Sequence, residues 1–336
     1  MKAYEIADPK GIDSLKLVER ATPKPRPTEV LMRVRAASLN YRDLVTVKGG
    51  AVTRGIRLPL VPLSDGAGEV VEVGAGATRF KPGERVVASF FQNWLAGSPH
   101  SSLFRSALGG ALDGMLTEYI ALSEEGLVRI PDYMSFEEAA TLPCAAVTSW
   151  NALVSMGRIT AGETVLVLGT GGVSIFALQF ARINGARVIA TSSSDTKLAR
   201  LREQGASGVI NYKTTPDWDA QVLEMTGGVG VDHVIEVGGA GTLAKSIRAV
   251  KLGGRISLIG LLAGGGQIDP MPMLLKSVTL QGIFVGSREM FEEMNRAMEI
   301  NAVHPVIDRV FPFAQAGDAY RYLESGSHFG KVCIAL

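Results

Sequence analysis

Hydrophobic positions change their spacing partway along the chain, and the change predicts two kinds of structure. Over residues 1–130, short apolar runs alternate with turns rich in Gly and Pro, a pattern typical of β-strands. From Ser135 the spacing becomes helical, and over 164–285 strand patterns alternate with helix patterns. This alternation predicts an α/β chain whose second part is a doubly wound parallel sheet covered by helices.

Both regions contain individually predictable elements. In the first region we expect strands at 29–35, 69–73, 85–88 and 117–121. In the second region we expect strands at 164–168, 187–191, 208–211, 232–237, 254–260 and 278–285, followed by a helix from Arg288 to about Ile300. The stretch 90–112 fits neither period and predicts a long loop.

A glycine-rich turn follows the first strand of the second region. The apolar run 165–168 leads into this turn, and an apolar helix follows it. Strand, glycine turn and helix form the first unit of a dinucleotide-binding sheet. Glycine lets the backbone approach a pyrophosphate, and the helix N-terminus offers unpaired N–H groups to that anion. The predicted cofactor contacts here are Gly169, Thr170, Gly171, Gly172 and Val173.

One position departs from the usual pattern of this turn. Ser174 stands where G-x-G-x-x-G has its third glycine, so the string alone also fits an ordinary turn. The next apolar strand, 187–191, follows at the distance that a βαβ unit requires. This context favours nucleotide binding.

The end of the second strand of this sheet indicates which dinucleotide binds. NAD-binding sheets place Asp or Glu there, on the adenosine ribose hydroxyls. Here Ser192 stands at that position, with Ser193 and Lys197 close behind it. Hydroxyl and ammonium groups can donate to a 2′-phosphate, which predicts NADP(H). The alternative is that the serines are only turn and cap residues. Asp195 is expected to cap the helix that follows.

Ligands of such sheets bind at the carboxyl ends of the strands. Further cofactor contacts are therefore predicted at the ends of the fourth, fifth and sixth strands. These residues are Val237, Gly260, Leu261, Phe284 and Val285.

Composition and charge exclude several classes of function. A chain of 336 residues, 46% of them hydrophobic, is expected to form two domains. The formal net charge is +1 and basic residues are dispersed, so we expect no nucleic-acid partner. No apolar run reaches the roughly 18 residues of a membrane span, so we expect no membrane partner. Two cysteines far apart, and no signal-peptide core, make the cytoplasm the expected location.

Six blocks occur in a specific order and spacing: Ser38-Leu39-Asn40-Tyr41-Arg42-Asp43, Pro62-Leu63-Ser64-Asp65-Gly66-Ala67-Gly68-Glu69-Val70, Phe80-Lys81-Pro82-Gly83-Glu84-Arg85-Val86, Gly114-Met115-Leu116-Thr117-Glu118-Tyr119, Ala140-Thr141-Leu142-Pro143-Cys144 and the glycine turn. Through them nearly the whole chain resembles the medium-chain dehydrogenase/reductase superfamily. It is similar to the zinc-free branch that includes quinone oxidoreductases and enoyl reductases, which show a similar serine-rich stretch with a lysine.

The resemblance implies an architecture and an assembly. It implies a GroES-like β domain formed by 1–145 and 287–336, and a Rossmann domain formed by 146–286. In relatives the last Rossmann strand, here 277–285, pairs across a two-fold axis and extends the sheet. We therefore expect a homodimer, which would also cover an apolar strand edge.

The resemblance also bears on metal binding. Zinc alcohol dehydrogenases of this superfamily hold a catalytic zinc ion with Cys, His and Cys, often near a Glu. At the matching positions this chain has Asn40, Ser64 and Cys144, with Asp65 for the Glu. A catalytic zinc ion needs about three protein ligands and prefers sulfur and nitrogen donors. No cysteine lies in 90–110, where relatives have a structural zinc lobe, so we expect no metal.

Without a metal, the substrate must be activated by hydrogen bonds. The loop that faces the nicotinamide in relatives supplies Asn40, Tyr41 and Asp43 as candidate catalytic residues, and the Tyr41 phenol could donate a proton. Tyr41 as a packing residue is the alternative. The expected substrate is a small carbonyl compound, a quinone or an α,β-unsaturated ketone. Metal-free alcohol–ketone interconversion and a non-catalytic NADPH-binding sensor remain as alternative functions.

Overall fold

The chain forms two units, each with its own sheet. The computed structural model describes residues 1–49, 56–260, 262 and 266–336. One unit consists of Met1–Val147 together with Val285–Leu336, and the other of Thr148–Phe284. The first unit is therefore built from both ends of the chain.

The strands, numbered along the chain, are β1 (Lys2–Ile6), β2 (Leu15–Glu19), β3 (Glu29–Ser38), β4 (Asp65–Val73), β5 (Arg85–Ala88), β6 (Tyr119–Ser123), β7 (Leu127–Arg129), β8 (Thr164–Leu168), β9 (Arg187–Ser192), β10 (Gly208–Asn211), β11 (Val231–Glu236), β12 (Val250–Leu258), β13 (Thr279–Gly282), β14 (Ile307–Pro312) and β15 (Lys331–Ala335). The helices are α1 (Tyr41–Lys48), α2 (Phe136–Ala140), α3 (Val147–Trp150), α4 (Gly172–Ile183), α5 (Asp195–Glu203), α6 (Trp218–Met225), α7 (Ala240–Ala249), α8 (Met271–Leu275), α9 (Arg288–Ile300) and α10 (Ala316–Glu324). In the part of the chain described, no helix has the length and apolar character needed to cross a membrane.

The first unit contains a seven-stranded sheet and a separate β1–β2 hairpin pair. The sheet order is β14-β15-β3-β4-β5-β7, with β6 also paired to β3. Strand β15 joins β3 antiparallel, with Cys333 opposite Ser38. This pairing brings the C-terminal residues beside the loop that leads into α1. Apolar side chains of β3, including Val30, Met32 and Val34, lie in the core beneath the sheet.

The second unit is a six-stranded parallel sheet in the order β10-β9-β8-β11-β12-β13. From β8 at the centre, β9 and β10 are added on one side of the sheet, and β11, β12 and β13 are added on the other side. This is the Rossmann strand order. The predicted doubly wound sheet is therefore confirmed. All five residues of β8 are buried, as expected for a central parallel strand that is covered on both faces.

Most expected strands are present with bounds shifted by up to four residues, for example β4, which begins at Asp65 where 69 was expected, and β6, which spans Tyr119–Ser123 where 117–121 was expected. Two of the differences lie in the second sheet and have a structural reason. Strand β12 begins at Val250, before the predicted 254, because the strand bends at Gly253 with φ 72° and its register to β11 shifts there. Strand β13 ends at Gly282, since β12 offers partners only as far as Leu258. The predicted strand 278–285 is thus too long.

The predicted loop 90–112 contains one short 3-10 helix, Ser101–Ser106. Phe90, Phe91 and Trp94 are buried, and the Leu108 N–H donates to the Phe90 carbonyl at 3.1 Å. Aromatic packing thus holds this segment within the first unit.

Candidate functional site

The glycine turn lies at the point where the sheet changes direction. It follows β8, which pairs with β9 on one side and β11 on the other, and ligands of open α/β sheets bind at such a point. Gly169 has φ 78°, a conformation that favours glycine. A Cβ added at Gly171, the residue before α4, would meet no atom within 4 Å. This open space beside a helix N-terminus fits a pyrophosphate.

The structure therefore brings the five residues predicted to bind the cofactor into one turn. Gly169, Thr170 and Gly171 connect β8 to α4, and Gly172 and Val173 begin the helix. Their contacts with a bound nucleotide remain a prediction.

The serine in place of the third glycine has a structural reason. Ser174 is 2% exposed, and its hydroxyl donates to the carbonyl oxygen of Leu168 at 2.7 Å. The side chain thus ties the first turn of α4 to the last residue of β8. A hydroxyl can replace glycine here because it makes a hydrogen bond at the close approach of helix and strand.

At the end of β9 the serines have different surroundings. Ser194 is the N-cap of α5, and its hydroxyl oxygen accepts the Lys197 N–H at 3.5 Å. Ser192 is buried and its hydroxyl oxygen accepts the Ser194 N–H at 3.3 Å. Ser193 is half-buried. Ser194 is therefore a cap residue and Ser192 makes a turn hydrogen bond, as the alternative expects. Contacts of Ser192, Ser193 and Lys197 with a 2′-phosphate stay a prediction.

The carboxylate nearest to this strand end is engaged elsewhere. Asp195 begins α5, and its Oδ1 accepts the side-chain amide of Asn211 at 2.7 Å. The expectation that Asp195 caps this helix is wrong, because the N-cap is Ser194 and Asp195 is the first residue inside the helix. Ser192 thus remains the residue at the position where NAD-binding sheets have an acid.

A buried carboxylate shapes the turn after β11, and the sequence pattern did not single it out. Glu236 is fully buried. Its Oε1 accepts the N–H groups of Gly238 at 2.7 Å and Gly239 at 3.0 Å, and the Thr242 hydroxyl at 2.5 Å. Its Oε2 accepts the Ser246 hydroxyl. Four donors converge on one carboxylate, which fixes the turn between β11 and α7. The only sequence signal was an acid at a strand end before Gly-Gly.

Val237, which follows β11, and Gly260, which follows β12, are predicted cofactor contacts and lie side by side. A Cβ added to Gly260 would lie 2.3 Å from the Val237 carbonyl oxygen, so only glycine allows this approach. Leu261 lies outside the described residues. Phe284 and Val285 follow β13 and do not belong to it, which corrects the expectation that they end the sixth strand. Val285 has φ 60°, a strained conformation for a β-branched residue.

The three candidate catalytic residues lie at the start of α1 in different surroundings. Tyr41 is 54% exposed, Asn40 is 9% exposed and Asp43 is fully buried. The Asn40 N–H donates to Asp43 Oδ2 at 2.7 Å, so Asp43 holds the first turn of the helix. Burial raises the pKa of Asp43 to about 6, against the opposing effect of the Arg42 charge. Tyr41 is thus the exposed residue of the three, whereas Asp43 holds the turn from inside. A catalytic role for any of them stays a prediction.

The Arg42 side chain packs within its own unit. Its guanidinium donates to the carbonyl oxygens of Leu108 at 2.9 Å and Gly109 at 3.3 Å, and lies 4.7 Å from the ring centre of Phe90. It therefore anchors the predicted loop against α1.

The residues at the zinc-ligand positions of relatives do not fit a zinc ion. Asn40 Oδ1 already accepts the Lys331 ammonium at 2.6 Å. Asp65 accepts the Ser64 hydroxyl at 2.7 Å and the Cys144 N–H at 3.2 Å. Cys144 is the one sulfur donor among these four positions, and burial raises the pKa of its thiol. Over residues 1–49, 56–260, 262 and 266–336, no three His, Cys, Asp or Glu side chains form a group that could hold a metal.

Two protein-family models match the chain, one largely in each structural unit. Residues 26–132 match the family model of the alcohol dehydrogenase GroES-like domain, and residues 172–299 match that of the zinc-binding dehydrogenase. The β domain predicted as GroES-like is thereby confirmed.

Individual relatives span the whole chain. A zinc-type alcohol dehydrogenase-like protein of Schizosaccharomyces pombe is 47% identical over 97% of this chain and 96% of its own. The chloroplastic NADPH-dependent alkenal/one oxidoreductase of Arabidopsis thaliana is 32% identical over 99% of this chain and 79% of its own. The crystal structure of an NAD-dependent alcohol dehydrogenase, 33% identical, superposes with a TM-score of 0.91 over 100% of both chains. The chain therefore belongs to the medium-chain dehydrogenase/reductase superfamily and is an oxidoreductase with an NAD(P)-binding domain.

Proposed function

We propose that this oxidoreductase uses NADPH, without zinc, to reduce a quinone or an α,β-unsaturated carbonyl compound. The observation that carries the proposal is the polar cluster of Asn40, Asp65 and Lys331. In it the Asn40 amide oxygen accepts the Lys331 ammonium, and the Asp65 carboxylate accepts a hydroxyl and an N–H group. A chain that cannot polarise a carbonyl with a metal must do so with hydrogen bonds. Conjugated carbonyls suit such a site, because their electron-poor carbon accepts hydride readily.

The preference for NADPH rests on the end of β9. Ser192 takes the place of the acid that would bind a ribose hydroxyl, and Ser193 and Lys197 offer donors to a 2′-phosphate. The named relatives include users of either dinucleotide, so this chain's own residues carry the proposal.

The residues have distinct tasks in this proposal. The bound reduced nicotinamide supplies the hydride. The turn Gly169–Val173 holds the pyrophosphate, and Val237 borders the adenosine side. Backbone groups at Gly260 and at Phe284 and Val285 hold the nicotinamide carboxamide. Tyr41, exposed at the start of α1, donates a hydrogen bond to the substrate oxygen and then its proton, while Asp43 and Asn40 hold the turn that presents it.

The test is NADPH oxidation by the purified protein against a panel of quinones, enones, aldehydes and ketones. We expect turnover of a quinone or an enone, little loss of activity with a chelator, and well under one zinc ion per chain by elemental analysis. Stoichiometric zinc bound through Cys144, with activity lost on chelation, would refute the metal-free part. Stronger turnover with NADH than with NADPH would refute the cofactor part.

A second candidate is metal-free interconversion of an alcohol and a ketone. The names of the Schizosaccharomyces pombe protein and of the superposed crystal structure favour it. Oxidation of simple alcohols with NADP⁺, together with no reduction of any conjugated carbonyl, would select this candidate.

We further propose that the protein acts as a homodimer. Strand β13 has β12 on one side and no partner on the other among the described strands. Beside it, Leu274 and Leu275 of α8 are each 72% exposed. A second copy of the chain would pair the strand edge and cover these leucines.

A further inference from the structure

A lysine side chain is buried in the first unit at the start of β15. The Lys331 side chain is 3% exposed, and a buried ammonium is strongly unfavourable unless it is paired and hydrogen-bonded. Its Nζ donates to the Leu39 carbonyl and to Asn40 Oδ1, both at 2.6 Å. It also lies 3.9 Å from Asp65 Oδ2.

The Asp65 carboxylate is equally buried, with no exposed surface. It accepts hydrogen bonds from two neutral groups, the Ser64 hydroxyl and the Cys144 N–H. Its positive partner is Lys331. Burial raises the pKa of Asp65, and the Lys331 charge is the largest effect that opposes this rise.

The charges of this cluster balance. Lys331 faces Asp65, and Arg42 Nη1 lies 3.9 Å from Asp43 Oδ1. Two cations therefore meet two fully buried carboxylates beside the first turn of α1. A divalent ion added between Asn40 and Asp65 would meet the Lys331 ammonium, and the oxygens that could ligate it already accept hydrogen bonds.

We propose that the Lys331 ammonium is the resident cation of this site, where it balances the buried Asp65 carboxylate and positions Asn40 and Tyr41 for the reaction. The charge compensation is independent of substrate. The positioning rests on the proposed function, because Leu39 and Asn40, the two residues that Lys331 holds, directly precede the candidate proton donor Tyr41.

The charge compensation is tested by a double-mutant cycle measured by urea unfolding. Lys331→Met and Asp65→Asn each leave one buried charge without its partner, so each should lower the unfolding midpoint clearly. The double variant removes both charges and should recover at least half of the summed loss. The matched control is Lys48→Met, which removes an exposed lysine 2.7 Å from Glu324 on the surface and should change the midpoint little. Losses that simply add in the double variant would overturn the compensation.

The positioning is tested in the double variant, which is expected to fold. With NADPH and para-benzoquinone, its kcat should fall at least tenfold while KM and the NADPH dissociation constant change less than threefold. A double variant with wild-type kcat would overturn the positioning role. If the wild-type protein reduces neither para-benzoquinone nor any other conjugated carbonyl, the proposed function fails, and the unfolding cycle still decides whether Lys331 compensates Asp65.

Discussion

At the scale of single residues, Lys197 gives the sharpest test of the cofactor. A charge-assisted hydrogen bond contributes roughly 1.5–3 kcal/mol, and we take the lower end because Lys197 is only half-buried. Lys197→Ala should then weaken NADPH binding about tenfold and leave NADH binding almost unchanged, since NADH lacks the 2′-phosphate. Fluorescence titration with both cofactors measures this.

A matched control is Lys16→Ala, which removes an exposed lysine of β2 in the first unit and should weaken neither cofactor. Ser192→Asp should act more strongly than Lys197→Ala, because it sets a carboxylate against the phosphate and offers the NADH ribose an acceptor. Equal weakening of NADPH and NADH binding by Lys197→Ala would show that this lysine supports the fold and does not recognise the phosphate.

Asp43 makes stability depend on pH in a predictable direction. Burial raises the pKa of Asp43 to about 6, above the value of about 3.9 in an unfolded chain. The folded state thus binds the proton of Asp43 more tightly than the unfolded state does. Ionisation of Asp43 therefore lowers the free energy of unfolding as pH rises, by about 3 kcal/mol once pH exceeds the folded pKa.

Asp43→Asn removes that titration and keeps an acceptor for the Asn40 N–H. Relative to the wild type, the variant should gain stability as pH rises from about 4 to about 7, by up to about 3 kcal/mol. Urea unfolding of both proteins across this range measures the difference. A constant difference at every pH would show that Asp43 titrates alike in the folded and unfolded states.

At the scale of elements, the β11–α7 turn depends on Glu236. Glu236→Gln replaces an acceptor oxygen with an NH₂ group that faces hydrogen-bond donors. We expect a loss of about 2–4 kcal/mol in unfolding free energy and several-fold weaker NADPH binding, because the turn begins at Val237. Glu224→Gln, on the exposed side of α6, is the control and should stay within about 0.5 kcal/mol. Unchanged NADPH affinity in Glu236→Gln would limit Glu236 to a role in folding.

Elements with strong local patterns could be predicted from the sequence. Strand β8 reads as one apolar run because a central parallel strand is buried on both faces, and the helix from Arg288 was predicted at its observed bounds. The end of β13 could not be predicted, because it depends on where its partner β12 stops. Nor does any local pattern reveal Lys331 as the partner of Asn40, since 291 positions separate them. The glycine turn was predictable because all its residues are consecutive.

At the scale of the whole molecule, the exposed apolar surface beside β13 predicts a dimer, and charged side chains introduced on that surface should dissociate it. Leu274→Glu and Leu275→Glu place carboxylates at positions 72% exposed in the single chain, so they should disturb folding little but oppose burial between two copies. By sedimentation at micromolar concentration, the wild type should show twice the single-chain mass and the double variant the single-chain mass. Ile300→Glu, at a position 83% exposed at the end of α9, is the control and should remain dimeric. A wild-type protein at the single-chain mass would refute the dimer, and a double variant that stays dimeric would place the interface on another surface.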